Sequence, residues 1–149
     1  MKPMSAAVFV LLAAAGAALV VQNLLMTRIS ADASTILIPL VMNSAVGLVL
    51  LLTLLIGRAG LPGIHEAVAA LRFWSLLPGL LGSFFVFASI LGYQRLGATA
   101  TIATLVASQL VVGLLVDMMK SGGIRGYETA IAGAVLLGTG AILVTSRPS

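Results

Sequence analysis

Cysteine is absent from the sequence, which excludes disulfides and thiolate metal centres, and one histidine, His65, is too few for a histidine metal cluster. Neither a metal nor a cofactor is expected. Charge is scarce as well: Asp, Glu, Lys and Arg make up 8% of the 149 residues, about a third of the share in soluble domains. No nucleophile–base pair is visible, so an enzyme is not expected. The net charge of +4 does not point to nucleic acid, because the eight Lys and Arg residues stand singly between apolar runs, without a basic stripe or interleaved aromatics.

What the chain does have is apolar sequence. Hydrophobic residues are 60% of the total and the mean hydropathy is +1.20, which places it among integral membrane proteins. Five runs are long enough to cross a hydrocarbon core at 1.5 Å per residue. They cover residues 5–26, 34–56, 73–94, 97–118 and 127–145, with a polar interval at 57–72. The expected fold is an all-α membrane protein with one membrane domain, and no room for a separate catalytic domain.

The first run has A-x-A-like sites between Ala13 and Ala18, but it is too long for a signal-peptide core and reads as a retained helix. Gln22 and Asn23 are expected in its last turn, where capping and headgroup contacts are as good a reading as a site role. In the second run Pro39, Asn43 and Gly47 share one face, and Pro39 predicts a kink near Thr35. The polar interval carries Leu61, Ile64, Val68 and Leu71 at helical spacing, so it predicts a short amphipathic helix on the membrane surface with His65 solvated. Trp74 and Tyr93 bracket the third run at positions suited to interfacial aromatic belts. Gly79, Gly82, Ser83, Ser89 and Gly92 within it allow close approach of a helix or ligand.

The fourth run is the one that carries both a mid-span amide, Gln109, and a late carboxylate, Asp117. Thr101, Thr104 and Ser108 make a hydroxyl stripe beside the row Gln109, Gly113, Asp117. Polar groups at this depth are costly in lipid, which predicts that they face protein, water or substrate. Gln109, Asn43, Ser108, Thr101 and Thr104 are therefore candidate substrate contacts. Asp117 and Lys120 are a candidate coupling or gating pair, with Lys120 or Arg125 positioned to neutralise a carboxylate that the helix dipole disfavours. In the fifth run Gly126, Ala130, Ala134 and Gly138 recur every four residues, a small-residue ridge suited to a helix-packing or dimer face, and Glu128 falls in the first turn, where the dipole favours it.

Positive charge is divided weakly between the two faces. Lys2, Arg58, Arg72, Lys120 and Arg125 would lie on one, and Arg28, Arg95 and Arg147 on the other. The excess favours a cytoplasmic N-terminus. It is small enough to allow both orientations and an antiparallel dimer.

The order of GAALVVQNLL, NSAVGLVLLL, FWSLLPGLLGSFFVFASILGYQRLGATATI and ASQLVVGLLVDMM, followed by a glycine-rich last run, resembles the YdcZ-like family, small five-helix bacterial inner-membrane proteins of the drug/metabolite transporter superfamily. The resemblance covers nearly the whole chain. It carries family positions onto Gln109, Leu110 and Asp117 and onto Trp74, which joins the candidate substrate contacts. Pro78 with Gly79 departs from paired glycines, and Ser108 stands where a glycine usually precedes the glutamine. The resemblance implies a homodimer or paired half-transporter, an inverted ten-helix assembly that moves a small metabolite or drug-like molecule through a site at the dimer interface near the midplane. A small ion channel, with Phe84, Phe85 and Phe87 along its pore, and a non-transporting membrane accessory subunit are the alternatives.

Overall fold

The computed structural model describes residues 3–121 and 126–146, with side chains from residue 6 onward. Lys2, Arg125 and Arg147 of the charge count lie outside the described residues, and so does the expected Arg125 partner of Asp117. The fold is all-helical, with α1 at Pro3–Asp32, α2 at Leu37–Ala69, α3 at Leu76–Leu96, α4 at Ala98–Ser121 and α5 at Glu128–Thr145. All five are long and apolar enough to cross a membrane.

The first helix continues six residues beyond residue 26. Asn23, Met26 and Ser30 explain the extension: they recur at helical spacing and are all buried, and the Thr27 hydroxyl donates to the Asn23 carbonyl instead of competing for a turn. Gln22 therefore lies ten residues before the helix end, well inside the span and not in its last turn.

Pro39 does not kink the second helix. The helix starts at Leu37, so Pro39 occupies the first turn, where its missing N–H has no intrahelical acceptor to lose. The break falls instead at Gly60, whose φ of 63° and ψ of −164° are not helical. Pro62 disfavours the helical region at the residue before it, and a glycine just upstream absorbs the turn. Beyond the break the helix continues to Ala69, with Leu61, His65 and Val68 exposed, and Leu71 follows its end. A 3₁₀ turn at Phe73–Ser75 follows, in which the Ser75 hydroxyl accepts from the Arg72 N–H and donates to the Ala70 carbonyl.

By their internal contacts the residues form two compact units, Met1–Leu91 and Gly92–Ser149. In the first, α1 and α2 pack together; in the second, α4 and α5 do. The second unit begins with a tight return. Gly97, with φ of 81°, is the single residue separating α3 from α4. A Cβ on Gly92 would stand 2.6 Å from Thr101 Cγ2, so only glycine fits there. Tyr93, expected in an interfacial belt, is buried, at 7% exposure.

Within one chain the α4–α5 seam includes Ala134 and Gly138 of the expected ridge. On α5 the protected row is Ile131, Ala134, Gly138 and Ala141; on α4 it includes Ala100, Ala103, Ala107, Leu110 and Leu114. Gly126 precedes the helix with φ of 93°, and Ala130 is exposed. The physical reason is angular: strict four-residue steps drift about 40° each around a helix, whereas alternating steps of three and four keep facing one neighbour.

Candidate functional site

The first unit contains a contact between mid-span amides. Gln22 Nε2 donates to Asn43 Oδ1 at 2.7 Å, joining α1 to α2. Gln22 is about 9 Å along the axis from Arg28, and Asn43 about 9 Å from the start of α2, so both lie inside a span. Apolar sequence folds both helices, and the amides satisfy one another where lipid offers no partner.

Asn43 lines two grooves. One, of about 260 Å³, is formed by Leu40, Asn43, Ser44, Gly79, Gly82, Ser83 and Val86 from α2 and α3. A neighbouring hollow of about 390 Å³ shares Leu40, Ser44 and Ser83 with it. The other groove, of about 250 Å³ between α1 and α2, is lined by Gln22, Met26, Pro39, Met42 and Asn43 among others. A Cβ at Gly79 or Gly82 would meet no atom within 4 Å, so the glycines leave space on this face of α3.

Hydroxyl groups divide into two kinds. Thr53, Ser89, Thr101, Thr104, Ser108 and Thr139 each donate to a carbonyl three or four residues earlier in their own helix. Among the described residues no hydrogen bond involves the side chains of Ser44 or Ser83. These two stand in the same groove as Asn43. Their protons are uncommitted where those of the α4 stripe are not.

The remaining candidates are placed as follows. Trp74 is 74% exposed in the 3₁₀ turn and meets Phe73 edge to face, with ring centroids 6.1 Å apart. Thr101 is buried against Gly92, and Thr104 and Ser108 are exposed on α4 with their donors used. Gln109, Gly113 and Asp117 are exposed along one face of α4. Asp117 and Lys120 form no ion pair among the described residues, although one turn separates them. The Asp117 main-chain carbonyl accepts a long 3.4 Å contact from the Tyr127 hydroxyl, which ties the end of α4 to the start of α5. Asn43 and Trp74 belong to the first unit, and Thr101, Thr104, Ser108, Gln109, Asp117 and Lys120 to the second.

For Gln22 the sequence left capping and a site role equally open, and placed it in the last turn of its helix. The signal was available in its surroundings: Asn23, Met26 and Ser30 continue a helical face past the point where polar residues suggest a loop. Among the described residues no group of three or more His, Cys, Asp or Glu gathers as a metal site.

A family model described as "Putative inner membrane exporter, YdcZ" matches residues 7–143. The inner membrane protein YdcZ of Escherichia coli (strain K12) is 54% identical over 138 residues, which cover 91% of this chain and 93% of that protein. No solved structure matches. The helices and this relative together establish a multi-pass location in the inner membrane.

Proposed function

We propose, from the premise that the chain belongs to the YdcZ family, that it is a secondary transporter, moving a small metabolite or drug-like molecule out across the bacterial inner membrane. The observation that carries this reading is the Gln22–Asn43 contact opening onto grooves within the spans. A purely structural bundle would close such amides against apolar neighbours, because unfilled polar space in a membrane is unfavourable. The family's description as an exporter supports outward movement, and points to transport instead of enzymatic chemistry.

The working unit in this proposal is a homodimer, antiparallel as the weak charge bias permits. Its support is exposure: no more than 11% of the most apolar window of any span is buried within one chain. Lipid covers apolar side chains well, but it does not satisfy Gln109, exposed halfway along α4. A second copy facing Gln109 would, and it would place that amide at a shared site near the midplane.

Reconstitution in proteoliposomes with an imposed pH gradient, followed by release of trapped labelled metabolites, tests transport. Release no faster than from protein-free vesicles would remove the reading. The absence of cysteine makes topology direct to read: single cysteines placed in the polar interval and in the α1–α2 loop should each be labelled from both sides if orientation is dual. Labelling of each from one side alone would rule out the antiparallel dimer.

A further inference from the structure

We infer that the groove at Asn43 selects neutral solutes bearing both a hydrogen-bond donor and an acceptor, such as primary carboxamides, over ions of the same size. The inference rests on the transport reading for its physiological sense, but its chemistry comes from the groove itself.

An amide pair linked by one hydrogen bond leaves a fixed remainder. With Gln22 Nε2 donating to Asn43 Oδ1, the Gln22 oxygen and the Asn43 NH₂ are without a partner among the described residues. Were both amide groups turned over, the remainder would still be one carbonyl oxygen and one NH₂. Both amides line the α1–α2 groove, so the pair brings a donor and an acceptor to it, the complement of a carboxamide, and Asn43 alone of the two also lines the groove on the α3 side. Ser44 and Ser83 add two uncommitted hydroxyls in the groove on the α3 side. Hydroxyls can give or accept, so they extend the match without imposing a charge.

Charge is what the site lacks. No Asp, Glu, Lys, Arg or His lines either groove that Asn43 borders. An ion entering would lose hydration with no counter-ion to replace it, and an isolated charge is far costlier to desolvate than a paired amide. The volume of about 260 Å³ falls just below that of drug-sized ligand sites, which fits a compact metabolite. Met26 and Met42 in the α1–α2 groove offer an adaptable apolar wall for the rest of such a molecule.

The test uses the full chain in lipid nanodiscs and a matched set of probes: benzamide and nicotinamide, their carboxylates benzoate and nicotinate, and benzylammonium. Binding is read by calorimetry and by thermal shift. The neutral amides should bind at least about tenfold more tightly than the ions, the size of one lost hydrogen bond to a polar group. Asn43→Leu should weaken the amides by about the same factor. Gly82→Val, whose added atoms project into space with no neighbour within 4 Å at Cβ, should abolish their binding while leaving the melting temperature of the empty protein unchanged. Tighter binding of benzylammonium or of a carboxylate overturns the inference. So do undetectable amide binding, amide binding unaffected by Gly82→Val and Asn43→Leu, and a cysteine at position 82 that cross-links to its counterpart in a second copy, which would make the groove an interface. Flux without amide preference would leave transport standing and remove this inference; amide binding without flux would do the reverse.

Discussion

The α4–α5 pair and the α1–α2 pair are both apolar helix hairpins, yet they handle their polar groups in opposite ways. In α4 and α5 the hydroxyls turn back to their own helices, the protected rows are small and aliphatic, and a glycine closes tightly on Thr101. In α1 and α2 an amide reaches across to an amide, and open grooves lie to either side. The first is how a membrane helix pair is held by close packing. The second retains unsatisfied hydrogen-bonding capacity inside a span, which is unfavourable unless something else uses it. In the proposed transporter, the contrast favours the amides of α1 and α2 over the hydroxyl stripe of α4 as substrate contacts.

The contrast is sharpest at Gly92. Gly92→Ala should cost about 2–3 kcal/mol, since overpacking penalties outweigh the ~1 kcal/mol that alanine's helix propensity returns. Thermal unfolding in detergent measures it, and Thr101→Ala in the same chain should restore most of the loss, because the nearest remaining atom would be Cβ at 3.3 Å. An unrescued double variant would mean that the tight return is not what holds the second unit.

Ala134→Leu comes next. It inserts a large side chain at a buried seam position and should cost about 1–2 kcal/mol by the same overpacking. Full stability would show that the α5 row faces lipid. For the amides the expected cost to stability is smaller, about 0.6–2 kcal/mol for one interhelical hydrogen bond. Gln22→Leu and Asn43→Leu should each lower flux far more than they lower stability, and the double variant should lose little beyond either single one. Additive losses would separate the two residues functionally.

The smallest effects belong to the α4 hydroxyls and its charged end. Thr104→Ala and Ser108→Ala should change stability by no more than about 0.5 kcal/mol, as exposed substitutions usually do, and leave flux unaltered. Asp117→Asn should also preserve pH-gradient-driven flux, because its carboxylate is exposed and holds no ion pair with Lys120 among the described residues. Abolished flux would return proton coupling to Asp117.

Much of the fold was legible because its signals are local. Five apolar runs separated by charge specify five spans, and the polar interval at 57–72 sets the second apart from the third. Asn43 was legible as a mid-span amide from its place in a run. Other features were not local. Whether Pro39 bends a helix depends on where the helix begins, which is set two residues earlier at Leu37. Whether a hydroxyl is available depends on the rotamer it adopts, and in Thr101, Thr104 and Ser108 the helix's own carbonyls take it.

By itself the sequence determined the solvent this protein lives in, the number of its spans, the family it belongs to and the absence of thiol chemistry, because each follows from composition, length and order alone. Only the tertiary structure decided that Gln22 meets Asn43, that Ser44 and Ser83 share a groove with that pair, and that the α5 seam advances by threes and fours. Those are relations between residues on different helices or different faces. Apolar packing in a membrane is too unspecific for sequence spacing to fix them.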